Sequence, residues 1–248
     1  MIFLVDLREI RRRLRRTAWN DFPSVVILAD VPVAKGHPSF AAAKAGDAKA
    51  AESVVEDTLA GATIEPLRVL IRNARPHLLP VHAVEEAGMN AIPRTFARAL
   101  GLRLDLPLKS GIIQLNRVSH TGATGYHRLA FPPVFDGVVD PVDYLLVDDF
   151  VGQGGTLANL RGYVESNAGR VVGSVTLTGK AYSAELRLNR ETVAILREKH
   201  GQQFEEWWVA TFGYSFDRLT ESGARYLIRS DDADTATARI VAARGDGD

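Results

Sequence analysis

The 248-residue chain has no cysteine. That removes disulfide bridges, thiolate nucleophiles and cysteine-ligated zinc, and it is neutral about compartment. Net charge is missing as well. Thirty Lys and Arg stand against 30 Asp and Glu, so no global field draws the chain to nucleic acid or to an anionic membrane, although a zero balance is compatible with a local patch. No apolar run approaches the ~18 residues of a membrane-spanning helix. The stretch Met1-Ile-Phe-Leu-Val-Asp6 is too short for a secretory signal. The expectation is a cytoplasmic protein with no membrane partner and no nucleic-acid partner. Its length suits one large α/β domain or a core with appendages.

The pattern along the chain divides into three parts. Residues 1–75 read as a mostly helical cap. Leu7 to Trp19 carries Arg8, Arg11, Arg12, Arg15 and Arg16 beside an apolar stripe of Leu7, Ile10 and Leu14, which predicts an amphipathic helix with a solvated basic face. Ser24 to Ala29 is strand-like, and the alanine-rich Ser39 to Leu59 predicts two short helices with a turn at Gly46. Residues 76–187 alternate strands and helices, the pattern of a parallel α/β sheet. Here His77 to His82 reads as a buried strand, Ile92 to Leu100 as a helix with Pro93 in its first turn, and Gly111 to Val118 as a further strand. Residues 188–248 read as a helical extension in which Phe204, Trp207, Trp208 and Phe212 form an aromatic core cluster.

Chemistry concentrates in Asp143-Tyr-Leu-Leu-Val-Asp-Asp-Phe-Val-Gly-Gln-Gly-Gly-Thr-Leu157. Leu145, Leu146 and Val147 make a strand buried on both faces, and Asp148 and Asp149 sit toward its carboxyl end, the ligand side of an open parallel sheet. The loop Gly152, Gln153, Gly154, Gly155 and Thr156 can turn backbone N–H groups inward, because glycine tolerates positive φ, and the helix that follows aims its positive end the same way. A phosphate fits the loop, and ribose hydroxyls fit the acceptor oxygens of the two acids. Two rival motifs fail. A Walker A loop needs Gly-Lys-Ser/Thr, and no lysine lies between Asp143 and Arg161; a Gly-x-Gly-x-x-Gly fingerprint needs glycine at 157, which is Leu157.

A hydrophobic strand, two acids, two apolar residues, a short loop and then Gly-x-Thr resembles the phosphoribosyl pyrophosphate (PRPP) motif of type I phosphoribosyltransferases. The resemblance implies an open, mainly parallel twisted sheet flanked by helices, with helical N- and C-terminal additions. It implies transfer of 5-phosphoribosyl from PRPP to a small-molecule nitrogen acceptor, a nucleobase or related heterocycle, with release of pyrophosphate. Asp148 and Asp149 would hold the ribose, and Gly152 to Thr156 the 5'-phosphate. Mg2+ would enter with the polyphosphate and meet Asp148 and Asp149 only indirectly, through PRPP and water. In this family a loop between the second and third core strands closes over PRPP with basic residues. Ser119 to Arg128 lies in that order and is glycine-punctuated, so Arg117, His120, His127 and Arg128 are the candidate catalytic contacts to pyrophosphate. A homodimer is common in the family.

The acceptor is only partly constrained. Hypoxanthine-guanine members carry an acid at the first loop position, where this chain has Gly152, which disfavours a 6-oxopurine. The segment His82 to Asn90, in the place of the family's pyrophosphate loop, is longer than expected and carries Glu85-Glu86. Two other readings remain. One is a regulator that senses PRPP or a nucleotide without turnover; the other, a metal hydrolase using Asp148-Asp149, is weakened because neighbouring strand residues point to opposite faces.

Overall fold

The computed structural model describes residues 13–82, 84–85, 88–116, 118 and 124–245. Arg117, His120 and residues 1–12 of the basic segment lie outside them. In chain order the elements are β1 (Val26–Asp30), α1 (Val31–Lys35), α2 (Phe40–Lys44), α3 (Ala48–Ala60), α4 (Glu65–Ile71), β2 (His77–Pro80), β3 (Val84–Glu85), β4 (Gly88–Met89) and α5 (Ile92–Leu104). They continue with β5 (Ile113–Gln114), α6 (Gly125–Ala130), β6 (Phe135–Asp136), β7 (Asp143–Val151), α7 (Gly155–Glu165), β8 (Arg170–Gly179), α8 (Arg190–Phe212), α9 (Glu221–Ile228) and α10 (Ala233–Gly245).

The main sheet has the order β1-β8-β7-β2, and all three of its pairings are parallel. It is the open, helix-flanked parallel sheet expected from the sequence. Its two central strands are buried along almost their whole length, which is why they read as unbroken apolar runs. Alternation along β7 divides the core. Leu145 and Val147 join Val175 and Leu177 under α3 and α5, whereas Tyr144 and Leu146 pack on the opposite face with Leu157 and Leu160 of α7. Each such fully buried aliphatic side chain contributes about 1.5–3 kcal/mol.

Four details differ from the sequence reading. β7 does not end at the acids; it runs two residues further and pairs Phe150 with Thr178 and Val151 with Gly179. The described residues of Gly111 to Val118 add no strand to the main sheet: among them only Ile113–Gln114 is a strand, in an antiparallel ribbon with Phe135–Asp136. The end of the expected loop, from Gly125, is helical, because Thr124 caps α6 through Oγ1, which accepts from the His127 N–H at 3.2 Å. Finally, residues 14–19 are not helical, and Arg16 is buried instead of lying on a solvated face.

The two alanine-rich helices are present, and Gly46 turns between them at φ +107°. The C-terminal helices α8 to α10 enclose a second hydrophobic core, in which Phe204, Trp208 and Phe212 are buried and Trp207 packs at the edge. Leu14 and Tyr126 reach into that core, so the N-terminal segment and α6 tie it to the sheet. No described helix is long and apolar enough to cross a membrane.

Candidate functional site

Because the four strands are parallel, their carboxyl ends share one edge, and a cavity of about 190 Å3 opens there. Asp148, Asp149 and the loop from Gly152 to Thr156 all line it. Lys35, the last residue of α1, which follows β1 directly, contributes from the same edge, and Lys44, Asn90 and Arg128 complete the near wall.

The side-chain alternation that splits the core also splits the acids. Asp149 follows Leu145 and Val147 toward the N-terminal helices, where its Oδ2 accepts from Lys44 Nζ at 3.0 Å. The side chain of Asn90 also donates to it. Lys44 is held in place because the 88–91 segment packs on the end of α2: the Ala91 N–H bonds the Ala43 carbonyl at 3.1 Å. A Cβ on Gly88, itself at φ +136°, would stand 2.4 Å from the Ala45 carbonyl oxygen. Asp148 curls back, its Oδ1 accepting from the Asp149 N–H at 2.8 Å.

Both acids are buried, yet their protons differ. Burial, followed by the neighbouring Asp149 charge, pushes the Asp148 carboxyl well above the usual range. Burial opposes ionisation of Asp149 too, but the Lys44 charge and hydrogen bonds from Lys44, Asp148 and Asn90 outweigh it and hold Asp149 below its ordinary value. The two directions make Asp148 the acid that keeps its proton to higher pH and Asp149 the one that ionises first, opposite Lys44. Two acids beside a phosphate cradle repel a polyanion less when one favours its neutral form and the other faces an ammonium.

The glycine loop leads directly into α7. Gly154 precedes α7 in the left-handed region at φ +74°, where a side chain would be strained. Within α7 the first backbone bond runs from the Ala158 N–H to the Gly154 carbonyl at 3.0 Å, so the N–H groups of Gly155, Thr156 and Leu157 precede any intrahelical acceptor. Thr220 Oγ1 donates to the Gln153 carbonyl at 2.7 Å, which anchors the loop to the C-terminal segment. Gln153 Oε1 is buried with no hydrogen-bond partner among the described residues.

Of the four basic residues expected to meet pyrophosphate, Arg117 and His120 lie outside the described residues. Arg128 reaches the cavity: a Cβ on Gly152 would come within 2.6 Å of its Nη1, and burial lowers its pKa. His127 does not line the cavity. Its Nε2 lies 3.0 Å from the Val118 carbonyl, and its ring packs on Phe131 at 4.6 Å.

Several lining residues were not singled out from sequence. Lys35 sits with its Nζ 4.3 Å over the Phe150 ring, and burial and then the Arg128 charge lower its pKa, with Lys180 and Lys44 adding to the effect. Its one sequence signal is its place just beyond the carboxyl end of a strand. Lys44 has none, since it stands in an alanine-rich helix more than a hundred residues from Asp149. Arg16, Asn159 and Tyr214 line the far wall. Among the described residues no group of three or more His, Asp or Glu could hold a metal ion by itself.

No protein-family model matches the chain. Protein TraN of Escherichia coli is 41% identical over 235 residues, covering 94% of this chain and 52% of that protein. An uncharacterized protein of Haemophilus influenzae is 38% identical over 151 residues, covering 60% of this chain and 34% of its own length. The chain thus spans about half or less of the curated relatives it matches. Among solved structures, adenine phosphoribosyltransferase from Thermoanaerobacter pseudethanolicus is 20% identical with a TM-score of 0.33, covering 72% of this chain and 90% of that one. The Leishmania donovani adenine phosphoribosyltransferase is 15% identical with a TM-score of 0.31, covering 71% and 69%. Both likenesses are distant.

Proposed function

We propose that this chain binds PRPP and transfers its 5-phosphoribosyl group to a nitrogen acceptor, releasing pyrophosphate. The observation that carries the reading is the convergence in one cavity of the Asp148-Asp149 pair, the open start of α7 and the cations Lys35, Lys44 and Arg128. Acids of unequal acidity suit a diol, since Asp149 accepts from one ribose hydroxyl and Asp148, when protonated, donates to or accepts from the other. The loop N–H groups and the α7 dipole suit the 5'-phosphate.

In the reaction the bond from the anomeric carbon to pyrophosphate breaks, the leaving group keeping the electron pair, and the acceptor nitrogen forms the new bond. Positive charge grows on the ribose ring and negative charge on the departing pyrophosphate. Lys35, Lys44 and Arg128 stand where fixed cations offset the second, and the protein's own contribution is orientation and charge placement. Lys44 has two roles in this reading: without ligand it neutralises Asp149, and with ligand it turns to the pyrophosphate as ribose takes over the carboxylate.

The donor set fits Mg2+ that arrives with its ligand: one carboxyl favours its protonated form and its neighbour is paired with Lys44, so the acids would reach the ion through PRPP and water. When bound, Mg2+ supplies further charge neutralisation on the pyrophosphate oxygens.

The test is pyrophosphate release from PRPP with Mg2+ across nucleobases and small amines, with a no-acceptor control. Release that depends on one acceptor supports the transferase and names its substrate. PRPP bound without release in any arm would instead favour a PRPP-sensing regulator. Absence of PRPP binding would overturn the site itself.

A further inference from the structure

Arg16 is a buried cation whose partners among the described residues are all neutral. It is 7% exposed. Its Nε donates to Asn159 Oδ1 at 2.7 Å, its Nη1 donates to the Arg218 carbonyl at 3.1 Å, and its guanidinium carbon lies 4.7 Å over the Tyr214 ring. No carboxylate is among these contacts. Burial pulls its pKa below the ordinary value, opposed only by Tyr214. Its Nη2 makes no hydrogen bond among the described residues and faces the phosphate loop: a Cβ on Gly155 would lie 3.6 Å from it. A buried charge with no counterion is strongly unfavourable, so a guanidinium held in this way beside the phosphate loop is suited to receive an anion.

The surrounding backbone is built to keep it there. Gly162 lies within α7, where alanine would favour the helix by about 1 kcal/mol. A Cβ at that position would stand 2.0 Å from the Arg15 carbonyl oxygen and 2.9 Å from Arg16 Cα. The missing side chain lets the 15–16 backbone lie directly on the helix. The C-terminal segment clamps it from the other side: Arg218 Nη1 donates to the Arg16 carbonyl at 2.8 Å, and Trp19 Nε1 donates to the Leu219 carbonyl at 2.7 Å.

We propose that Arg16 completes the anion pocket at the start of α7, its Nη2 pairing with a phosphomonoester held by the loop N–H groups, so that phosphate capture depends on the N- and C-terminal segments as well as on the glycine loop. The inference deepens the phosphoribosyl reading and rests on it for the source of the phosphate. It predicts discrimination against an unphosphorylated sugar through a charge that lies outside the strand-loop motif.

The experiment measures binding of ribose 5-phosphate, ribose and PRPP to the full chain and to Arg16→Gln and Arg16→Lys, with melting temperatures at matched ionic strength. In the wild type ribose 5-phosphate binds and ribose does not. Arg16→Gln weakens ribose 5-phosphate and PRPP by about 10- to 100-fold, the span of a charge-assisted hydrogen bond. The unliganded melting temperature of this variant holds or rises, because an uncompensated buried charge is gone. Arg16→Lys falls between, having charge without the planar fork; it makes the same comparison if Arg16→Gln does not fold. Wild-type affinity in the variants, or a lower melting temperature with affinity unchanged, would show a structural strut and overturn the inference. Arg16-dependent capture of ribose 5-phosphate with no PRPP turnover would sink the proposed reaction and leave the pocket supported. Failure of the wild type to bind either phosphorylated ligand would overturn both.

Discussion

Lys44→Met keeps an unbranched stem of similar length and deletes only the ammonium that faces Asp149. The two side chains are 16% and 10% exposed, and Nζ lies 3.0 Å from Oδ2. A pair this buried is outside the regime of surface salt bridges, which are worth about 0–1 kcal/mol. Removing one partner of a buried pair costs about 3–5 kcal/mol. Hydrogen bonds from Asn90 and Asp148 remain on Asp149, which places the expected loss near the lower end, about 3 kcal/mol at pH 7. The pH dependence follows from the direction of the shift. In the wild type the Asp149 pKa is depressed below its ordinary 3.8, so its stabilisation is present above that value and is lost as pH falls through the lowered one. In the variant burial is opposed only by the Asn90 and Asp148 hydrogen bonds and the pKa rises, so the folded state takes up a proton more readily and loses stability as pH rises from about 4 toward neutrality. The cost should therefore be large at pH 7 and small near pH 4. Urea unfolding at the two pH values reads it, and adding Asp149→Asn to Lys44→Met should recover most of the loss. A cost under about 1 kcal/mol that is equal at both pH values would mean that the pair behaves as an exposed one, and the account of the two unequal acids would fall.

Three further outcomes are expected. Asp148 has a raised pKa from burial and then from Asp149, so wild-type stability should decline as pH climbs through that raised value; Asp148→Asn, which cannot titrate, should flatten the decline in melting temperature measured from pH 4 to 8. Gly154→Ala places a Cβ 2.2 Å from Leu186 Cδ2 at φ +74°. It should cost about 1–3 kcal/mol in urea unfolding and weaken PRPP binding in calorimetry, whereas an unchanged midpoint would show that the loop is not under this constraint. Trp208→Ala removes a side chain with 0% exposure from the C-terminal core, at about 3–5 kcal/mol. Tyr214 packs 6.0 Å from Trp208 and under Arg16, so the same variant should weaken ribose 5-phosphate binding if the C-terminal segment supports the pocket.

Comparison of the strand-loop motif with the cavity wall shows where sequence reasoning succeeds. The run of Leu145 to Val147, the glycines that free φ at 154, and the turn into α7 are all local, so their signals stand within a dozen adjacent residues. The parallel character of the sheet is legible for a related reason, since strands and helices alternate along residues 76–187. Gly111 to Val118 has the composition of a longer strand, yet Ile113–Gln114 pairs with Phe135–Asp136 instead of joining the main sheet. Pairing partners, not composition, decide which sheet a strand joins. Thr124 made a helix start out of what looked like an unbroken glycine loop.

The sequence alone determined that a strand would deliver two acids and a glycine cradle to one edge of a parallel sheet, because strand burial, turn chemistry and helix start are written in neighbouring residues. Only the tertiary structure decided how those acids are charged and what surrounds them. Lys44 meets Asp149, Arg128 covers Gly152 and Arg16 lies against α7 because helices and segments far apart in the chain pack onto one sheet. The raised pKa of Asp148 and the neutral surroundings of Arg16 among the described residues are consequences of that packing: both follow from exclusion of water and from which partners come within hydrogen-bonding distance, and neither is a property of any local stretch of residues.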